Sequence, residues 1–415
     1  MTHPPAPRPA APANRGGRLP LTRTDLRGLA RLGVDAVLGA TRIVEAMHHT
    51  IASRPRIVGP GPTGQTRGIT GLVYRTVRGT TRVVGRGLDA LLAAAPRKTN
   101  AASTTDRGAV VAALNGVWGD HLDRTGNPVA IRMSLRIDGA RGAADPAPPT
   151  GRLLVLVHGL AMNDRQWTRH GHDHGQALAR DAGFTPLYLH YNSGRHVSHN
   201  GREFAGLLEE RVATWPVPVE ELVIVGHSMG GLVARSACHI GAGQRWRRHL
   251  TTLVFLGTPH DGAPLERGGR LVDSVLGISP YAAPLARLGQ TRSAGITDLR
   301  FGNVQDADWQ DPRARQGDGR VATPLPAGVR TFLVAATTAA SADGWRSATV
   351  GDGLVPLASA LGRHRNAALA LGVPARRCFV ATGAHHWDLL DRADVYAKLR
   401  TWLARRGPAV PSSRR

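Results

Sequence analysis

The chain has 415 residues and a formal net charge of +23, and 42% of its residues are apolar, enough for one large domain with an appendage or for two domains. No run approaches the roughly 18 uninterrupted apolar residues of a membrane-spanning helix, and the two cysteines, Cys238 and Cys378, make no disulfide framework. Residues 1–20 lack the apolar core of a secretory signal. We therefore expect a cytoplasmic protein, peripheral to a membrane at most, with no signal peptide and no transmembrane segment.

The positive charge is distributed unevenly along the chain. Lys98 and Lys398 are the only lysines among the 53 basic residues. Together with the abundant alanine and glycine, this excess of arginine indicates a compositional bias rather than a nucleic-acid partner. Residues 1–100 nevertheless contain 16 basic and 4 acidic residues. For this segment an anionic membrane surface is a second explanation of the charge.

The N-terminal hundred residues are predicted to be a tail followed by helices. Residues 1–20 are rich in Pro and Ala, bury nothing and should be disordered. Residues 21–100 have the pattern of a basic amphipathic helical extension, because apolar residues recur at spacings of three and four over 25–51 and 72–95. We expect residues 22–95 to cover the following domain or to contact an anionic membrane peripherally. The arginines opposite the apolar face of the second helix are Arg75, Arg78, Arg82 and Arg86.

Residues 101–407 have the pattern of an α/β domain. A helical stretch at 103–118 and an alternating strand pattern at 129–137 lead into apolar runs separated by helical stretches. The runs are 153–157, 185–189, 222–225, 253–256, 331–335 and 378–381. Their alternation predicts a mostly parallel central sheet with helices on both faces. A long interruption at about 263–328 predicts a lid or cap insertion, and residues 408–415 should form a second disordered tail.

The motif that carries chemistry follows the run 222–225 directly, as Gly226-His-Ser228-Met229-Gly230. In G-x-S-x-G the serine occupies a strained turn, and glycines flank it because strand and helix approach too closely for side chains. The N-terminus of the following helix directs its dipole and free N–H groups towards a developing oxyanion. We therefore predict that Ser228 is a nucleophile and that Met229 donates one N–H group to the oxyanion hole.

A second oxyanion donor is expected upstream of the nucleophile. The run 153–157 ends in His158-Gly159-Leu160, the position from which such folds supply a second N–H group. We assign that donor to Leu160. We interpret His158 as a loop histidine that orders the turn rather than as a catalytic group.

The acid and the base of a catalytic triad should follow in the order Ser, acid, His. After the run 331–335, Asp352 lies in a loop between two glycines, although an Asp-Gly pair is also common in plain turns. After the last run come His385 and His386, of which one is a bystander. The sequence therefore supplies an acid and a base in the order that a triad requires.

Four motifs together resemble bacterial lipases and esterases of the α/β-hydrolase fold. They are the serine motif, Leu-Gly-Thr-Pro-His-Asp-Gly at 256–262, Gly-Asp-Gly-Leu-Val-Pro at 351–356 and His386-x-Asp-Leu-Leu. Within this group, residues 151–405 are similar to GPI-inositol-deacylase-like (PGAP1-like) proteins.

The resemblance implies an α/β-hydrolase fold and an enzyme of lipid metabolism that cleaves esters without a metal or an organic cofactor. It implies a triad of Ser228, Asp352 and His386, because the catalytic histidine of the family stands two residues before Asp-Leu-Leu, which favours His386 over its neighbour His385. The residues that we expect in the substrate pocket are His158, Gly159, His227, Thr258 and His260.

We expect a serine carboxylic-ester hydrolase, of the esterase or lipase type, that forms an acyl-enzyme on an ester or lipid substrate. Residues 263–328 should shape the acyl pocket. An acyltransferase or thioesterase with the same triad remains an alternative, as does a membrane-binding protein whose hydrolase fold is only a scaffold. The histidines within 170–174 lack a known metal-ligand spacing, so we predict no metal site there. Acyl specificity, alcohol specificity and oligomeric state are left open by the sequence.

Overall fold

The computed structural model describes residues 22–52, 66, 68–94, 105–137, 148–263, 293–311, 319–341 and 351–404. The expectations for the two tails, 1–20 and 408–415, lie outside these residues. So do residues 264–292 and 312–318 of the predicted insertion.

The core of the chain is a seven-stranded sheet. In chain order its strands are β1 (Ser134–Arg136), β2 (Arg152–Val157), β3 (Thr185–His190), β4 (Glu221–His227), β5 (Leu250–Leu256), β6 (Arg330–Thr337) and β7 (Cys378–Thr382). Their order across the sheet is β1-β3-β2-β4-β5-β6-β7. β1 runs antiparallel to β3, and all the other neighbours are parallel. The prediction of a mostly parallel sheet is confirmed, and every predicted apolar run lies within an observed strand.

Helices cover both faces of this sheet, as predicted. The described helices are α1 (Arg23–Ala52), α2 (Gly68–Ala94), α3 (Thr105–Arg124), α4 (His174–Ala182), α5 (Val197–Ala213), α6 (Met229–Ile240), α7 (Ala294–Phe301), α8 (Ala307–Gln310), α9 (Leu357–Ala360) and α10 (Ala393–Leu403). Alternate residues of β2 point to opposite faces: Leu153 and Val155 pack with α5 and α6, whereas Leu154 and Leu156 pack with α4 and α10. The strand is buried on both faces, which explains its uninterrupted apolar sequence.

The edge strand β1 is shorter than the alternating pattern at 129–137 predicts. The side chain of Asn115, on α3, takes over the backbone groups that a strand neighbour would have used. It donates to the Val129 carbonyl at 2.8 Å and accepts the Ile131 N–H at 2.9 Å. A buried backbone group needs only one such partner. Because Asn115 supplies it at Val129 and Ile131, these residues do not need a neighbouring strand, and the chain joins the sheet only from Ser134.

The predicted N-terminal helical pair is present as an antiparallel hairpin of α1 and α2. Asp89 pairs with Arg27 and Arg31 near one end of the hairpin, and Glu45 pairs with Arg78 near the other. Arg78 is therefore buried, although the sequence pattern groups it with Arg75, Arg82 and Arg86, which are exposed. The sequence pattern could not anticipate this, because its carboxylate partner lies on the other helix. No helix among the described residues is long and apolar enough to cross a bilayer.

The sheet order creates a crevice at the carboxyl ends of the central strands. From β2 the chain goes to β3 on one side, and β4 then pairs with β2 on the other side. In open α/β sheets, ligands bind at such a switch point, outside the carboxyl ends of the strands. The loops that follow β2 and β4 carry Leu160 and Ser228.

Candidate active site

Ser228 occupies a sharp turn between β4 and α6. Its backbone has φ 54° and ψ −129°, in a region that a residue with a side chain adopts only under strain. The turn is held because the Ser228 N–H donates to the Leu256 carbonyl of β5 at 2.9 Å. The strained conformation leads the chain from the strand directly into the helix and puts the serine at the crevice.

The glycines around Ser228 are required by close contacts. A Cβ atom on Gly230 would overlap the carbonyl oxygens of Val157 and His158, and one on Gly231 would overlap the Thr258 side chain. These approaches let α6 pack directly on the ends of β2 and β5. The close packing therefore explains why glycine occupies both positions after Met229.

His386 and Asp352 are brought together although they follow different strands. The His386 Nδ1–H donates to Asp352 Oδ2 at 2.6 Å, and both side chains are almost fully buried. Asp352 Oδ1 accepts the N–H groups of Leu354 and Val355 at 2.9 and 2.8 Å. The carboxylate is therefore held by three hydrogen-bond donors. Because Nδ1 of His386 is bound to it, the other imidazole nitrogen, Nε2, points away from Asp352.

Of the two neighbouring histidines, only His386 contacts Asp352. His385 is exposed at the start of the short 3₁₀ turn His386–Leu390, and its backbone N–H donates to Asp388 at 2.8 Å. The hydrogen bond to Asp352 thus distinguishes His386 from His385.

Ser228 lies beside Gly159, which follows β2, and His386 lies beside Gly257, which follows β5. A Cβ atom on Gly159 would lie 3.0 Å from Ser228 Cβ, and one on Gly257 would lie 3.0 Å from His386 Cε1. Among the residues that the structure describes, no hydrogen bond joins Ser228 to His386. Catalytic hydrogen bonds of this kind are often long in the free enzyme and tighten with bound substrate.

The predicted oxyanion donors, Leu160 and Met229, both have available N–H groups. In the described part of the chain, no hydrogen bond uses the backbone N–H of either residue. The neighbouring Ala161 has φ 57°, and its N–H is taken by the Ser193 hydroxyl at 2.9 Å. Ser193, which follows β3, fixes this turn, and no sequence signal pointed to it.

Two predicted pocket histidines hold backbone segments near the site. His158 stacks on Tyr191 at 4.3 Å between ring centroids, and its Nδ1–H donates to the Gly159 carbonyl at 2.9 Å. Burial lowers the pKa of His158 to about 3. His227 donates from Nε2 to the His386 carbonyl at 3.3 Å, and burial lowers its pKa well below the usual value. Both rings are therefore neutral in the folded protein and serve as supports.

The last pocket candidates, Thr258 and His260, lie against α6 beyond the nucleophile. Thr258 is fully buried against Gly231. His260 packs edge-on against Phe255, with ring centroids 4.9 Å apart, and its Nδ1 lies 3.5 Å from Arg235 Nη1. Burial, together with the Arg235 charge, lowers the pKa of His260 well below its usual value. Neither residue is hydrogen-bonded to the His386–Asp352 pair.

The histidine-rich stretch after the oxyanion turn is tied into the loop by its own contacts. His172 Nε2 and His174 Nδ1 are 2.8 Å apart, and His174 Nε2 donates to the Leu389 carbonyl at 3.0 Å. Over the described ranges, no group of His, Cys, Asp and Glu side chains has the arrangement of a metal site.

Residues 148–309 match the family model of the PGAP1-like alpha/beta domain. The matched segment includes Ser228 and both proposed oxyanion donors, whereas Asp352 and His386 follow it in the chain. The seven-stranded sheet extends through both parts and completes an α/β-hydrolase fold.

Solved structures similar to this chain include several bacterial ester-cleaving enzymes. The mature lipase BlEst2 of Bacillus licheniformis has a TM-score of 0.41 and 18% identity, over 66% of this chain and 98% of that one. A thermophilic esterase from Thermogutta terrifontis has a TM-score of 0.38 and 16% identity, over 66% and 93%. The phospholipase PlaB of Legionella pneumophila has a TM-score of 0.35 and 17% identity, over 50% and 45%. No curated protein sequence matches the chain.

Proposed function

We propose that the chain is a serine carboxylic-ester hydrolase in which Ser228 is the nucleophile, His386 is the general base and Asp352 orients the base. The observation that carries this proposal is the 2.6 Å hydrogen bond between His386 and Asp352, at the same edge of the sheet as the strained turn of Ser228. A buried carboxylate that holds the Nδ1–H selects the imidazole tautomer whose Nε2 can accept a proton.

In the acylation step, His386 Nε2 takes the hydroxyl proton of Ser228 while the serine oxygen attacks the ester carbonyl carbon. Negative charge develops on the carbonyl oxygen, and the N–H groups of Leu160 and Met229 stabilise it. The tetrahedral intermediate then collapses: the bond to the alcohol oxygen breaks, and His386 returns its proton to the leaving alcohol. Ser228 carries the acyl group as an ester.

Deacylation repeats these steps with water as the nucleophile. His386 accepts a proton from water, the water oxygen attacks the acyl carbon, and the proton is returned to Ser228 as its bond to the acyl group breaks. One water is consumed, and one acid and one alcohol are formed, so the cycle is balanced without a cofactor. The substrate class that fits this chemistry is a carboxylic ester, including the esters of lipids.

A labelled fluorophosphonate tests the proposal, because it reacts with an activated serine. We expect labelling of the full chain and none of Ser228→Ala, which should keep its fold because alanine fits the turn. Ser236→Ala is the matched control: Ser236 lies on the same helix, and its buried hydroxyl has no partner among the described residues. Undiminished labelling of Ser228→Ala would overturn the assignment.

A panel of p-nitrophenyl esters of increasing acyl length defines the substrate. The wild type should release free acid, and Ser228→Ala should lose several orders of magnitude in kcat. Adding a primary alcohol as acceptor separates hydrolysis from acyl transfer: predominant formation of the new ester, instead of free acid, would identify an acyltransferase.

A further inference from the structure

The hairpin of α1 and α2 exposes an unusual number of large apolar side chains. Their exposed fractions range from 39% for Leu29 to 72% for Leu91. The exposed residues are Leu26, Leu29, Val37 and Val44 on α1, and Leu72, Val73, Val77, Val83, Val84, Leu88 and Leu91 on α2. Single exposed apolar residues are ordinary, but a contiguous group of this size marks an interaction surface.

Most of these side chains form one stripe on each helix. Residues 26, 29, 37 and 44 share a face of α1, and residues 73, 77, 84, 88 and 91 share a face of α2, at about 100° per residue. On each helix the stripe lies roughly 110° around the axis from the residues that contact the other helix, in the same rotational sense. Because the helices are antiparallel, both stripes open to the same side. We call this surface the apolar face of the hairpin.

The apolar face points away from the contacts that attach the hairpin to the rest of the chain. Asp25 pairs with Arg107 of α3, and the Asn127 side chain donates to the Gly28 carbonyl at 3.1 Å. Asp35 lies 2.9 Å from His121. At about 100° per residue, Gly28 and Asp35 lie on the side of α1 roughly opposite its stripe, and Asp25 lies at the start of the helix, before the first stripe position. The hairpin is therefore anchored by one side of α1, and these contacts leave the stripes uncovered by the part of the chain that the structure describes.

The charges on the hairpin favour an anionic occupant. Every acidic residue of the two helices is already paired: Asp25, Asp35, Glu45 and Asp89 each contact an arginine or a histidine. The exposed arginines that form no ion pair with any described residue are Arg42, Arg75, Arg82 and Arg86. An anionic lipid surface combines apolar depth with negative charge at its boundary.

We propose that the apolar face of the α1–α2 hairpin docks on anionic bilayer surfaces, with its stripes inserted among the lipid chains and its exposed arginines near the headgroups. The exposed arginines lie on the polar side of each helix, opposite the stripe, which is the arrangement of basic amphipathic helices that lie in the plane of a membrane interface. The docking requires no chemistry at Ser228. It would hold the hydrolase domain beside ester lipids, a role that rests on the proposed function, whereas the docking itself does not.

Vesicle co-sedimentation of the full chain tests the docking, in a Ser228→Ala background so that lipid hydrolysis cannot change the vesicles. We expect binding to phosphatidylcholine vesicles that contain phosphatidylserine, weaker binding to phosphatidylcholine alone, and loss of binding at high salt. Val77→Asp with Val84→Asp should weaken binding by at least about tenfold, because two inserted side chains become charged. Ile137→Asp with Val321→Asp is the matched control: it makes the same chemical change at residues 43% and 47% exposed outside the hairpin, and should bind like the parent.

Two further measurements keep the proposal open to refutation. If the aspartate pair unfolds the hairpin, Val77→Gln with Val84→Gln replaces it as the test variant. Its helix content is checked by circular dichroism, and it should also weaken vesicle binding. Equal vesicle binding by the apolar-face variants and the control would overturn the proposal. So would a parent that is dimeric by light scattering and becomes monomeric in the apolar-face variants while vesicle binding is unchanged. Fluorophosphonate labelling of the wild-type chain, which keeps Ser228, tests the proposed function independently of the vesicle-binding and light-scattering results.

Discussion

Replacing Asp352 with asparagine changes the hydrogen bond to His386 in the proposed triad and preserves the turn. Asp352 Oδ1 accepts two backbone N–H groups, and Oδ2 accepts the His386 Nδ1–H at 2.6 Å. An asparagine can keep the two backbone bonds with its amide oxygen. Its NH₂ group then faces His386 Nδ1, which must become an acceptor, so the imidazole proton moves to Nε2. The base now presents a proton, rather than a lone pair, to Ser228.

We expect Asp352→Asn to lower kcat by about 10⁴, the effect of the same tautomer error in serine proteases, or about 5.4 kcal/mol at roughly 1.36 kcal/mol per factor of ten. The melting temperature should change by only a few degrees, because the turn keeps its bonds. Steady-state hydrolysis of a p-nitrophenyl ester and thermal unfolding provide both readouts. Asp394→Asn, at a surface pair with Arg392, is the control. An asparagine variant within tenfold of the wild-type kcat would refute this assignment of the base and its partner.

Single substitutions should also change kcat or the free energy of unfolding, and the free energy of unfolding should depend on pH. His386→Ala should lose orders of magnitude in kcat and His385→Ala very little, because only His386 contacts Asp352; a larger loss in the His385 variant would contradict this. Gly230→Ala should cost about 3 kcal/mol of unfolding free energy, because its methyl group overlaps two carbonyl oxygens. Gly87→Ala, which has open space, should instead stabilise α2 by up to about 1 kcal/mol, and urea unfolding measures both. Stability should also fall as the pH drops below about 6.5, since burial lowers the pKa of several histidines and the unfolded chain then binds protons that the native chain does not. Each such histidine contributes up to about 1.4 kcal/mol per pH unit until its folded pKa is reached, and equal unfolding free energies at pH 7 and pH 5 would contradict the expectation. These histidines are His158 (pKa about 3), His174 (about 4), His227 and His260.

The strands were predictable because their uninterrupted apolar sequences indicate burial on both faces. Residues such as 153–157 and 253–256 are apolar throughout, which a strand covered on both faces requires and an exposed segment does not permit. The serine turn was predictable for a related reason, because its glycines record contacts too close for side chains. Both signals are local, and each can be read from a few consecutive residues.

The features that sequence reasoning missed depend on partners distant in the chain. The Asn115 side chain shortened β1 by bonding backbone groups 14 and 16 residues away, and Glu45 buried Arg78 across the helical hairpin. The Ser193 hydroxyl supports the oxyanion turn from the end of another strand. In each case a polar side chain pairs with a polar group that comes close to it only in the folded chain. The periodicity of the sequence does not predict such a contact.

The placement of His386 after β7 has a consequence for the nascent chain. β7 pairs only with β6, at the edge of the sheet opposite β1, and it is the last strand of that sheet to leave the ribosome. Ser228 and its oxyanion turn can fold once β2, β4 and β5 have been made, but they then lack a base. The proposed nucleophile therefore stays unreactive through most of translation and becomes competent only when the edge strand docks. Synthesis order alone would thus delay activity until the sheet is complete, without a separate inhibitory segment.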